Sequence, residues 1–175
     1  MRIKIALACS AVLAIATMAH AQGAAPAAAV QTKLTATMTC PKFDPTPVPV
    51  GDQPDHTLAV GKTKCTYSSG EIAGVKIKEE EDTFAMDMTA ARSGDRGYAV
   101  MSLANGDKAF VQFQGTTMLK NNVPSGASGT WTFTGGTGKA KGLKGKGTYT
   151  ASYKADGTAT FEIAGEYQAA APAGK

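Results

Sequence analysis

Two stretches hold residues whose types and spacing could do chemistry. The first is GGTGKAKGLKGKG, Gly135 to Gly147, in which Lys139, Lys141, Lys144 and Lys146 are separated by small residues whose backbone N–H groups can converge on an anion. A phosphate loop fails on spacing. That pattern needs a glycine five positions before Gly138, where Phe133 stands, and Ser or Thr after the lysine, where Ala140 stands. The simpler reading is a glycine-rich turn with solvated lysines, built on Gly135, Gly136, Gly138, Gly142 and Gly145. The second stretch is Glu79-Glu80-Glu81-Asp82, four carboxylates that would suit a hard cation such as calcium. The glycine and spaced acids of a calcium loop are missing, so the run reads as a solvated turn or strand edge beside Lys76 and Lys78, and no metal is expected.

Nucleophilic hydrolysis has little to draw on. There is no GxSxG and no CxxC, and beyond the first 21 residues His56 is the only histidine. His56 follows a proline-rich stretch and reads as a solvated loop side chain that titrates near neutral pH. No redox-cofactor motif occurs, so no cofactor is expected. An acid–base pair of Asp or Glu with Tyr or Arg leaves no sequence signature, and catalytic residues stay unassigned.

The 175 residues suit one domain. Residues 1–21 read as a secretory leader: Arg2 and Lys4, an apolar run from Ile5 to Met18, then Ala19-His20-Ala21 before Gln22. A lipid anchor on Cys9 is the competing reading, and it would leave too short an apolar segment before the cysteine. The run is too short to span a bilayer comfortably, and no later stretch is apolar enough to try. An exported protein, periplasmic or secreted, is the expectation. Without Arg2 and Lys4 the net charge falls from +4 to +2, too little to argue for nucleic acid or an anionic membrane. Cys40 and Cys65 then remain for an oxidising compartment and predict a disulfide, worth about 3 kcal/mol in the chain-entropy picture.

Residues 22–31 read as an arm, 32–168 as the folded domain and 169–175 as a frayed tail. Within the domain the period is two. Leu34, Ala36 and Met38 share a face, and Thr57 to Ser68 continues as a strand past Gly61. Between them, five prolines from Pro41 to Pro54 exclude a central strand and predict a long loop. Val75 and Ile77 are odd-numbered, whereas Phe84, Met86 and Met88 are even, so a bulge or break must lie between Lys78 and Phe84. Arg92 to Arg96 and Asn121 to Ser128 read as loops, and Asn105-Gly106 and Asp156-Gly157 as hairpin turns. About eight short strands at hairpin spacing predict an all-β, antiparallel closed barrel, with Gly145, Gly147 and Gly165 suggesting coiling or bulging within strands.

Trp131, Phe133, Tyr149, Tyr153, Phe161 and Tyr167 fall on inward faces of late strands and are the ligand-binding candidates. They read either as packed core or as an apolar pocket with tyrosine hydroxyls for handles.

The segment Gly136-Thr137-Gly138-Lys139, with Gly142, Gly145 and the Gly147–Tyr149 strand, resembles the late-strand turn of dirigent proteins and allene oxide cyclases. A Thr-Trp-Thr strand before it is similar to their exported bacterial relatives. The likeness runs from about Gly129 to Tyr167. It implies an eight-stranded antiparallel barrel with an apolar cavity, a homotrimer, and activity that comes from shaping a reactive apolar ligand. The functional expectation is an exported dirigent-like barrel that binds a small apolar or aromatic molecule without chemistry of its own. The alternatives are a cofactor-free isomerase or cyclase acting in the cavity, and an envelope interaction or inhibitor protein using the loop from Pro41 to Pro54.

Overall fold

The computed structural model describes residues 31–169, and the segments expected to be a leader, most of an arm and most of a frayed tail lie outside them. Eight long strands form the barrel: β1 (Thr32–Cys40), β3 (Thr57–Ser69), β5 (Val75–Met88), β6 (Arg92–Leu103), β7 (Lys108–Lys120), β8 (Val123–Gly136), β9 (Lys144–Tyr153) and β10 (Ala159–Gln168). Two short strands, β2 (Val48–Pro49) and β4 (Glu71–Ile72), are appended to β3 and β5. From β5 to β10 each strand pairs antiparallel with the next, β10 pairs with β1, and β3 joins β1 to β5, so the sheet closes on itself. The β1–β3 seam is the thinnest. It registers Thr37 with Ser69, Met38 with Tyr67 and Thr39 with Thr66, and slips between the first two. The Cys40–Cys65 disulfide lies beside it.

Turn chemistry sets the hairpins. Gly106 and Gly157 adopt φ of 89° and 87°, the left-handed region that glycine enters without a Cβ clash. Two loops expected from composition are strand instead. Arg92 to Arg96 belongs to β6, the connection being Thr89 to Ala91, and β8 begins at Val123 directly after Asn121 and Asn122, whose φ values are 52° and 61°. Asparagine tolerates that conformation, so a two-residue reversal suffices where the sequence suggests a long loop. Gly145, Gly147 and Gly165 do not bulge the sheet, since β9 and β10 stay in register from Ala159 to Gln168. A Cβ at Gly147 or Gly165 would meet the Trp131 ring, so both glycines make room for the indole.

The parity change in β5 is a bulge between Ile77 and Glu79, at the N-terminal edge of the interval the sequence allows. Val75 and Ile77 face inward before it, and Glu80 and Asp82 after it. The strand then runs on to Met88, so the acidic run is barrel wall and not a turn.

The two ends differ. At one end Ile72, Ala140 and Leu143 are fully buried, and the Ala73 N–H donates to the Tyr167 hydroxyl at 2.9 Å. At the other, the proline-rich loop lies over the mouth. His56 joins it to the wall, with Nδ1 2.5 Å from an Asp52 carboxylate oxygen and Nε2 2.9 Å from one of Asp87. Those hydrogen bonds, Asp52 first, raise the His56 pKa above its ordinary value. The histidine is therefore a clasp, where composition alone suggests a solvated side chain.

Candidate functional site

A cavity of about 870 Å³ opens beneath the proline-rich loop and extends into the barrel. Trp131, Tyr149, Tyr153 and Phe161 line it. Phe133 and Tyr167 are buried deeper, Phe133 edge-on to Trp131 with centroids 4.9 Å apart and Tyr167 edge-on to Phe133 at 6.4 Å. The six aromatic candidates thus divide between a cavity wall and the packed floor below it. Trp131 spans the two, with its indole N–H donating to the Thr148 carbonyl at 3.2 Å. Methionines 38, 86, 88 and 101 complete much of the apolar wall and give it an adaptable surface.

Six carboxyl groups line the cavity; Asp44, Asp55 and Asp156 are exposed, and the other three are withdrawn from solvent. Glu79 and Glu81 point outward and pair with Lys64 at 2.9 Å and Lys62 at 2.7 Å, while Glu80 and Asp82 between them point into the barrel. The Tyr67 hydroxyl donates to Glu80 at 2.7 Å. Asp82 Oδ2 lies 3.7 Å from the Cys65 sulfur, which in a disulfide has no proton to give, and Asp82 Oδ1 has no hydrogen-bond partner. Burial raises the Asp82 pKa to about 9, with the Glu80 charge adding to it, and burial raises Glu80 as well against the bonds from Tyr67 and Asp82. The pair titrates as a unit and keeps a shared proton at neutral pH.

The third carboxyl is Asp95 on β6, whose oxygens accept from Ser93 at 2.5 Å and Thr117 at 2.6 Å. Burial raises its pKa too, and the two hydroxyl donors oppose the rise. Tyr149 and Tyr153 face this group, and burial followed by the Asp95 charge pushes the Tyr149 phenol up. Composition hides all three acids, Glu80 and Asp82 inside an apparently solvated run and Asp95 inside an apparent loop.

Among the described residues, Lys42 and Lys154 are the only basic ones that line the cavity, and both sit at its mouth. The lysine-bearing turn lies elsewhere, and its cradle is filled by the chain itself. Asp107 accepts the Lys139 N–H at 2.9 Å and occupies the space a Cβ at Gly138 would take. Among the described residues, Cys40, Cys65 and Asp82 bring ligand-type atoms together, but both sulfurs are committed to the disulfide.

The molecule is thus a closed eight-stranded antiparallel β-barrel, floored at one end and hollow at the other. Solved structures similar to it include two dirigent proteins. One pterocarpan synthase dirigent protein shares 14% identity over 82% of this chain and 97% of its own, with a TM-score of 0.49. A second shares 13% over 86% of this chain and 99% of its own, with a TM-score of 0.46. At such identities the likeness concerns fold alone, and the barrel stands on its own strand pairing. No protein-family model matches the chain, and no curated protein sequence matches it.

Proposed function

We propose that this chain is an exported single-domain barrel that binds a small apolar or aromatic molecule in its cavity, without a cofactor and without chemistry of its own. The observation that carries the reading is the cavity itself. Its volume of about 870 Å³ falls in the range of ligand pockets, roughly 300–1,000 Å³. Aromatic and methionine side chains supply the contact area, and a few convergent polar groups supply orientation. Export is supported by the leader-like residues 1–21 and by the disulfide, and among the described residues no helix is long and apolar enough to cross a membrane.

A second reading, a cofactor-free isomerase or cyclase, is supported by Asp82. A carboxyl that keeps its proton to about pH 9 on the wall of an apolar cavity is suited to general-acid work.

Native mass spectrometry on protein from the export compartment of its host tests the first reading. Extra mass that disappears on denaturation is the expected result, and the same spectrum counts subunits and so tests the trimer. A bare mass, together with no uptake of N-phenyl-1-naphthylamine by the purified protein, would overturn it. Incubating the released molecule with emptied protein separates the readings: its recovery unchanged supports binding alone, and a product lost in Asp82→Asn supports the enzyme.

A further inference from the structure

The interior of the cavity is anionic, although the chain as a whole carries a net charge of +4. Glu80 and Asp82 are 5% and 7% exposed, so both are withdrawn from solvent almost completely. The groups facing them are acidic or neutral on every side. Tyr67 faces both from β3 and Tyr149 faces Asp82 from β9, Asp95 of β6 and Tyr153 of β9 stand next around Tyr149, and the Cys40–Cys65 disulfide beside Asp82 is uncharged. Among the described residues the cavity lining includes no arginine or histidine, and of its two lysines at the mouth Lys42 is paired with Asp44 at 2.8 Å.

A buried carboxylate without a counter-charge is costly, and retaining a proton is one way a pair of them reduces that cost. A cation brought by a ligand is another. Asp82 Oδ1 is the acceptor left for it: a buried oxygen that receives no hydrogen bond from a fixed donor, on a side chain that lines the cavity. A neutral hydroxyl would satisfy that oxygen but would leave the charge of the pair uncompensated. An ammonium would do both. Its hydrocarbon or aromatic body would lie against Trp131, Tyr149 and Phe161, where apolar contact and ring faces favour it.

We propose that the ligand of this barrel is a small hydrophobic amine, its ammonium seated on the Glu80–Asp82 pair and its apolar body against Trp131. The inference rests on the cavity being a binding site and adds the chemical class of the occupant. Seating the cation displaces the proton shared by the carboxyls to solvent, so binding releases a proton and strengthens as pH rises, up to the pKa of the amine.

The test compares 2-phenylethylamine with 2-phenylethanol, which differ in the head group alone, by titrating the fluorescence of the sole tryptophan, Trp131. At pH 7.5 the amine is expected to bind at least about tenfold more tightly, and calorimetry in buffers of different ionisation enthalpy is expected to show proton release. Asp82→Asn should abolish the preference and leave alcohol binding in place, with Glu80→Gln as a second variant and near-ultraviolet circular dichroism to confirm that each folds. Equal affinities, or a preference unchanged in both variants, would overturn the amine while leaving the cavity as a binding site. Failure of both compounds and of N-phenyl-1-naphthylamine to bind would remove the site and the amine together.

Discussion

The Phe43 ring packs on Phe84 with centroids 4.9 Å apart. The proline-rich loop therefore closes on the barrel through an aromatic side chain from its own interior, and Gly61 accepts that ring where a Cβ would overlap it.

Phe43→Ala should speed release of a bound apolar dye several-fold in stopped-flow displacement, because the loop loses its contact over the mouth. The stability loss should be modest, about 1 kcal/mol, the scale of one aromatic pair. An unchanged release rate would mean that the loop does not limit passage.

Gly165→Ala should destabilise the barrel by about 1–3 kcal/mol through overpacking. Its Cβ would come within 2.5 Å of the Trp131 ring and of the Lys146 carbonyl, neither of which has room to withdraw. Urea unfolding gives the magnitude, and a shift in Trp131 emission should accompany it. Wild-type stability in this variant would contradict the packing described.

Asp82→Asn should stabilise the protein at neutral and alkaline pH by about 1 kcal/mol or more. In the folded barrel Asp82 keeps its proton to about pH 9, whereas its ordinary value is 3.8, so the folded state binds more protons between those values. The stabilising effect of that protonation is complete below pH 3.8 and is lost as pH rises through about 9. Thermal melts of both proteins from pH 4 to 9 should converge at the acid end and diverge at the alkaline end. A lower melting temperature for the variant at pH 8 would reverse the conclusion.

The His56 clasp should weaken on the alkaline side. Because its folded pKa is raised, the contribution is fully present below the unfolded value near 6.5 and is lost as pH passes the higher folded one. Asp52, lowered chiefly by its bond to His56, sets the opposite limit: its contribution is present above 3.8 and is lost as pH falls through the lower folded value. Hydrogen exchange at Val50, whose N–H donates to the His56 carbonyl at 3.0 Å, should show the clasp opening at high pH, corrected for the intrinsic rate. Equal protection at pH 6 and pH 9 would show that the loop is held by other means.

The barrel was legible in the sequence because its hairpin signals are local. Asn105-Gly106 and Asp156-Gly157 are turns in the structure, the inward alternation of β1 and β10 survives intact, and Cys40 meets Cys65. The acidic groups of the cavity were hidden by composition. Four consecutive carboxylates look solvated, yet extending the parity of Phe84, Met86 and Met88 back two and four positions reaches Asp82 and Glu80. Lys62 and Lys64 on the neighbouring strand supplied the matching clue, since they account for Glu81 and Glu79 and leave the other two unpaired. Asp95 shares the parity of Ala99, Met101 and Leu103, but a Ser-Gly-Asp sequence reads as a turn before its parity is considered. Which aromatics line a cavity and which fill a floor depends on where the two ends are plugged, and Ile72 and Leu143, far apart in the chain, decide that together.

The thin β1–β3 seam has a consequence for the order of events in making this protein. A barrel has no edges only while every seam holds, and here the least paired seam is the one sewn covalently. A chain still carrying thiols has a closure that rests on Thr37, Met38 and Thr39 alone, and opening it uncovers two strand edges able to recruit another chain. Oxidation of Cys40 and Cys65 is then also a safeguard against self-association, effective from the moment the bond forms.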